Sequence, residues 1–320
     1  MSAPVLIVGS FGLDTQSTPF GKVKDVIGGS GPYAALGARF FAKTAVVGSV
    51  GNDYPKEFLQ QMQSIGIDTS GLQYSKQKSF RWFAEYGFDV NARTERVELN
   101  ALLDLKPELS ESFKKLEYLF LATENPSKQK QFLDLFEKRP KLVLADTIKL
   151  WIEEQRNEVL EMVTQSDFMM MNDGEARELF KTPQLSKAAQ EILNRNSEFA
   201  LIKKGENGAV LFSNSLFRKK AGEKPVQKGS KSQIGFFAVP GYPLESVKDP
   251  TGCGDSFAGA LLGFLANKEE VSEKVVRKGM VFASAVASFN AESFSCDRLL
   301  EITKKDIENR VQEFKEIVRF

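Results

Sequence analysis

The sequence predicts an α/β fold on a mostly parallel central sheet, and three observations carry that reading. Short β-type runs alternate with stretches of helical period along the 320 residues, the rhythm of strand–helix–strand units. Gly9, Ser49, Asp146, Asn172 and Lys203 all close strand-like runs. They therefore fall on the carboxyl rim, where such sheets bind ligands. Finally, a loop of small residues, Asp249-Pro250-Thr251-Gly252-Cys253-Gly254-Asp255-Ser256, opens into the apolar run Phe257 to Leu265. That is how a loop entering a helix N-terminus reads.

In chain order, Val5 to Val8 reads as a buried strand ending at Gly9. Residues 33–41 read as a helix, 44–50 as a strand, and 54–65 as a helix stopped by Gly66. Further strands are expected at 116–122, 141–146, 168–171, 200–203 and 209–212, with helices at 129–137, 151–164, 173–180 and 185–196. Two stretches break the rhythm. Residues 79–100 alternate in period two, with Phe80, Trp82, Ala84, Tyr86 and Phe88 on one face and Arg81, Phe83 and Glu85 on the other. With 23–27 they can form a small β-sheet flap. Core packing is the first expectation for the aromatic face, and the clasp of a lid-to-lid homodimer is the second. Residues 213–232 carry Arg218, Lys219, Lys220, Lys224, Lys228 and Lys231 with few apolar neighbours, as a solvated hairpin does; a phosphate or partner patch is the alternative.

Composition narrows the function. Hydrophobic residues are 42%, charged residues 27%, and the net charge is +1, so there is no basic footprint for nucleic acid. With no histidine, Ser-His-Asp and Cys-His catalysis and histidine metal sites are excluded. Two cysteines far apart suit a reducing compartment. The start Met-Ser-Ala-Pro is unlike a signal peptide, and no apolar run is long enough to span a bilayer. A cytoplasmic location without membrane partners is expected.

The small-residue loop carries the chemistry. Helix N-terminal amides and the helix dipole make an anion site, and Gly252 and Gly254 let the backbone approach closely. Asp255 beside that site is poorly placed to bind phosphate. It is well placed to take a proton from a hydroxyl that attacks phosphate. Cys253 fits as a small side chain, or alternatively as a thiolate activated by the helix end.

The stretch Asp249 to Phe257 resembles the C-terminal signature of the ribokinase-like (PfkB) carbohydrate kinases. Gly28-Gly29-Ser30-Gly31 with Ala34-Ala35-Leu36-Gly37, Val46 to Asp53, Gly9-Ser10 with Asp14, and Asn172-Asp173-Gly174-Glu175 resemble its other motifs, in the family's order. The resemblance implies one kinase domain over 1–320, a three-layer fold with a β-sheet lid of about 15–27 and 79–100, and ATP and Mg²⁺ as co-substrate and cofactor. It implies Asp255 as base, and Gly252, Cys253 and Gly254 as donors to the γ-phosphoryl group. Asp14, Gly28 and Gly29 would bind the substrate. Asn172, Gly205 and Gly208 would bind ATP, Glu175 would hold Mg²⁺ through water, and Asp249 and Thr251 would hold K⁺.

Departures from the pattern bear on the substrate. Tyr33 stands where the family often has an Asn that contacts sugar hydroxyls. Lys203-Lys204-Gly205-Glu206-Asn207-Gly208 stands where it often has Thr-x-Gly-x-x-Gly. Lys203 and Lys149 thus make a basic rim, for ATP or for a phosphate already on the substrate, and Arg81 of the lid is expected to face the cleft and orient the substrate. The leading expectation is a kinase for a primary hydroxyl of a sugar. A nucleoside kinase is the alternative, with Tyr33, Trp82 and Phe83 lining a base slot. A catalytically silent sugar or nucleotide sensor is the non-enzyme alternative; Asp255 in an intact loop argues against it.

Overall fold

The computed structural model describes residues 4–89, 93–195, 197–213 and 235–319. Its strands are β1 Val5–Val8, β2 Gly12–Thr18, β3 Gly21–Gly28, β4 Thr44–Val50, β5 Ile67–Tyr74, β6 Phe80–Tyr86, β7 Arg93–Glu98, β8 Tyr118–Leu121, β9 Leu142–Ala145, β10 Phe168–Asn172, β11 Phe199–Lys203, β12 Ala209–Ser213 and β13 Gly235–Val239. Its helices are α1 Ser30–Ala38, α2 Lys56–Ser64, α3 Pro126–Asp134, α4 Lys149–Glu154, α5 Arg156–Gln165, α6 Asp173–Phe180, α7 Leu185–Asn194, α8 Cys253–Ala266, α9 Glu273–Asn290, α10 Asp297–Glu301 and α11 Lys304–Ile317.

The main sheet runs β13-β12-β11-β10-β9-β8-β1-β4-β5. It is parallel from β5 to β11 and is extended by antiparallel β12 and β13. Its inner strands, β1, β4 and β8 to β11, are buried on both faces, which is why they read as continuous apolar runs. On β1, Val5 and Ile7 join the core under α1, α8, α9 and α11. Leu6 and Val8 join a second core under α3 to α7, with Phe132, Trp151, Met162, Leu179 and Ile192. These two cores make the three layers.

The second sheet is the lid, in the order β3-β2-β6-β7. β3 pairs antiparallel with β2, β2 parallel with β6, and β6 antiparallel with β7. It takes in more of the first segment than expected: β2 starts at Gly12, so Asp14 lies inside the lid, level with Trp82 of β6.

Several element boundaries differ from the sequence expectation; the helix expected over 129–137, for one, runs Pro126–Asp134. The first helix starts at Ser30, directly after Gly29 at φ 87. The helix expected over 151–164 is two, because Gln155 leaves the helical region at φ −136, ψ 49. The lysine-rich stretch expected as a hairpin lies, past Ser213, outside the described residues. Among the described residues no helix is long and apolar enough to cross a membrane.

Candidate active site

A cleft of about 870 Å³ opens between the carboxyl rim of the main sheet and the lid. The first turn of α8 forms one wall, and Gly252, Cys253, Gly254 and Asp255 all line it. Gly252 has φ 72, and a Cβ there would meet the Tyr33 ring at 2.3 Å. Only glycine fits, since the backbone is left-handed and the ring lies flat against it. The Cys253 amide is drawn to the Pro250 carbonyl at 3.3 Å. Gly254 and Asp255 present their amides in the same helical turn, where the dipole favours an anion.

Lys203, at the end of β11, points at this wall. Its Nζ lies 3.1 Å from where a Gly254 Cβ would stand. It also forms a close ion pair with the buried Asp146 at the end of β9. Burial opposes the Lys203 charge, but Asp146, Glu175 and Asp255 together hold its pKa above the usual lysine range. The rim is therefore less basic than the sequence suggested. Lys203 arrives with its own carboxylate, and Lys149 pairs with Glu153 at 3.5 Å on the surface.

Asn172 and Glu175 form a capping box at the start of α6. Asn172 N–H donates to Glu175 Oε2 at 2.7 Å, and Glu175 N–H donates to Asn172 Oδ1 at 2.8 Å. Both residues line the cleft, so the cap also fixes two oxygen-bearing side chains beside Lys203. Gly205 and Gly208 line it from the turn between β11 and β12, which is closed by Lys204 N–H to Gly208 O at 2.7 Å.

On the acceptor side, Asp14 is 2% exposed. Its carboxyl is pushed well above the usual range by burial, then by Asp249 and Asp255, against hydrogen bonds from Gln16 and Gly29. Oδ1 makes no hydrogen bond of good geometry within the protein. Gly28 abuts this carboxylate, since a Cβ there would fall 2.0 Å from Asp14 Cγ. Gly29 lines the cleft; Gly28 supports it from behind. Ser10 and Ser30 exchange hydrogen bonds, each amide donating to the other's hydroxyl at 3.1 and 3.0 Å, and so tie β1 to α1 at this point. The Tyr33 hydroxyl is buried and has no partner. Asp255 raises both the Asp14 and the Lys203 pKa. It is therefore felt by the Asp14 carboxyl and by the Lys203 ammonium alike.

At the foot of the loop, Asp249 Oδ1 accepts the Thr251 amide at 2.9 Å, and the Thr251 carbonyl accepts from Asn290 Nδ2 at 2.6 Å. Burial raises the Asp249 carboxyl against hydrogen bonds from Thr251 and the Ser295 amide, and Oδ2 makes no hydrogen bond of good geometry.

A family model for the pfkB family carbohydrate kinases matches residues 10–302. This chain belongs to the pfkB family. A cytidine kinase of Thermococcus kodakarensis is 27% identical over 288 residues, covering 88% of this chain and 95% of the relative. A nucleoside kinase of Burkholderia thailandensis, solved with inosine, superposes with a TM-score of 0.76 at 17% identity, over 99% of this chain and 98% of that one. A Vibrio cholerae fructokinase double mutant, solved with fructose, ADP and potassium, does so at 0.75 and 18%, over 97% and 98%. These structural likenesses establish the ribokinase-like fold.

The geometry of this pfkB kinase corrects four readings of the sequence. Arg81 does not line the cleft. Its guanidinium is held between Asp25 and Asp53 on the opposite face of β6, because strand alternation that turns Trp82 inward must turn Arg81 outward. Phe83 shares that outer face and is covered by the Arg96 guanidinium at 3.8 Å from its ring centre. The aromatic stripe is a cleft wall: Phe80, Trp82 and Tyr86 line the cavity. The clasp expected of that stripe is thereby reduced to Phe88, which is wholly exposed. Cys253 is no activated thiolate. Burial drives its thiol up to about 12 despite a hydrogen bond from Asn290, so desolvation outweighs the helix dipole. One residue escaped the sequence reading. Glu124, after β8 and beside the cleft-lining Thr123, is 1% exposed, and burial raises its carboxyl to about 7. Nothing in Ala122-Thr123-Glu124-Asn125 marks it locally.

Proposed function

We propose that this kinase transfers the γ-phosphoryl group of ATP to a primary hydroxyl of a nucleoside. One observation carries the choice of acceptor: Asp14 and Trp82 are register partners on adjacent lid strands and both line the cleft. Paired residues in neighbouring strands share a face. A polyol acceptor and an aromatic platform thus stand side by side, as a ribose bearing a base requires. Tyr86 extends the platform, its ring centre 6.4 Å from that of Trp82. Similarity to a cytidine kinase over most of both chains supports the same reading. A sugar acceptor rests on Asp14 and the Gly28-Gly29 pair alone, which a nucleoside's ribose uses equally.

In the reaction, Asp255 accepts the proton of the acceptor hydroxyl as its oxygen bonds to the γ-phosphorus. The bond to the β–γ bridging oxygen breaks, and ADP leaves with that electron pair. The α8 amides and Lys203 face the charge that builds on the transferring oxygens. Glu175 and Asn172 offer hard oxygen donors to a hydrated Mg²⁺, which would neutralise phosphate charge. The buried Asp249 Oδ2, short of a good hydrogen bond, and the Thr251 loop fit a monovalent cation such as K⁺.

A coupled ADP-release assay with ATP, Mg²⁺ and K⁺ tests the acceptor, using cytidine, uridine, adenosine and inosine against ribose and fructose. At least one nucleoside should exceed both sugars in kcat/KM by about a hundredfold, the loss expected when a site built for a base is left unfilled. A sugar turned over better than every nucleoside would overturn the proposal.

A further inference from the structure

β6 is tied to the body of the protein at both ends. At its start, Arg81 reaches Asp53 in the loop after β4 and Asp25 of β3, and Asp53 Oδ1 also accepts the Ser79 amide at 2.7 Å. At its end, the Tyr86 hydroxyl meets Thr251 Oγ1 at 3.1 Å. Thr251 belongs to the anion loop, one residue before Gly252. Tyr86 is 5% exposed, so the contact is made out of bulk water, where a hydrogen bond counts for more. Thr251 is fixed from behind through its amide on Asp249 and its carbonyl on Asn290. The lid therefore touches the phosphate-binding loop directly. Between the two ties, on the Tyr86 face of β6, stands Trp82, in edge contact with Tyr86.

We infer that Tyr86 is a positioning residue that couples acceptor binding to the anion loop. An acceptor packed on Trp82 fixes the lid. Tyr86 then holds Thr251, and Thr251 sets the turn that carries the Gly252, Gly254 and Asp255 backbone. By linkage the coupling is reciprocal: an acceptor that fixes the lid raises nucleotide affinity, and nucleotide raises acceptor affinity by the same factor. The inference rests on phosphoryl transfer at this site but not on the acceptor being a nucleoside.

The test is Tyr86→Phe, which keeps the ring and removes only the hydroxyl. Hydrogen exchange of the ligand-free protein is measured first, because it needs no acceptor and stays valid whichever acceptor is correct. Amides across 251–255 should exchange faster in the variant while those of β1 and β8 do not change. In kinetics with the best acceptor of the panel above, kcat should fall about five- to tenfold, the size of one lost hydrogen bond, and at saturating ATP the acceptor KM should rise by the factor by which the coupling to nucleotide shrinks. The affinity gain that this acceptor confers on AMP-PNP should shrink toward none. Thr251→Val removes the other end of the bond, and the double variant should be no worse than the more severe single one. Unchanged loop exchange and unchanged kcat would overturn the inference. So would a rise in acceptor KM alone, which would make Tyr86 only a wall of the cleft.

Discussion

Asp255 sits in the first turn of α8, where its charge reaches both Asp14 and Lys203. Asp255→Asn keeps the shape of that turn and removes the proposed proton acceptor. We expect kcat to fall by about 10²–10⁴, with AMP-PNP affinity by calorimetry close to the parent's; near-parental turnover would take Asp255 out of the mechanism. Glu124 supports a prediction of another kind. Its carboxyl is raised to about 7 by burial, against the Asn125 amide and Lys128. The folded state therefore holds the proton more tightly than the unfolded chain. Stability from this group is full below the ordinary glutamate range and is lost as pH rises to about 7. Glu124→Gln should leave stability nearly unchanged near pH 4.5 and raise it at pH 8, by up to about 3 kcal/mol of unfolding free energy for a fully buried group. A variant no more stable than the parent at pH 8 would show that Glu124 is not held against its charge.

At the scale of elements, α6 opens on a local signal with two readings. Asn172-Asp173-Gly174-Glu175 reads as a helix start, which the capping box bears out, and as a metal-facing pair, which remains a proposal. Glutamine is accepted at the third helical position of such a box. Glu175→Gln should thus keep the cap, with a melting temperature near the parent's, yet raise the Mg²⁺ concentration needed for half-maximal rate several-fold. Identical Mg²⁺ titrations would leave Glu175 with the cap alone. The buried parallel strands were legible for a simple reason: burial on both faces leaves unbroken apolar runs. The split between α4 and α5 was not, because the sequence around Gln155 carries no glycine or proline, and only backbone geometry shows the break.

Across the whole molecule, the rim of the cleft was readable from the strand ends, whereas the orientation of the lid was not. Alternation says that Trp82 and Arg81 lie on opposite faces; it does not say which face meets the body. That is decided by contacts far away in sequence, with Asp53 and Asp25 holding Arg81 outside and Thr251 holding Tyr86 inside. The outcome changes what Arg81 should do. It bridges the two sheets: Asp53 follows β4 of the main sheet and Asp25 lies in β3 of the lid. Its side chain is 15% exposed, so the pair with Asp53 is only partly screened, and losing it should loosen the root of β6 more than it unfolds the protein. Arg81→Ala should raise acceptor KM several-fold while AMP-PNP binding without acceptor stays at the parental value, because the anion wall is built by α8 and β11 and not by the lid root. A nucleoside 5′-phosphate, used as a competitive inhibitor, should lose no more affinity than the nucleoside does, since the guanidinium is turned away from the cleft. Asp53→Asn should reproduce the effect, and the double variant should add little to it. If the 5′-phosphate lost far more affinity than the nucleoside in Arg81→Ala, the guanidinium would have to swing into the cleft on binding, and the lid root would be a substrate contact and not a hinge tie.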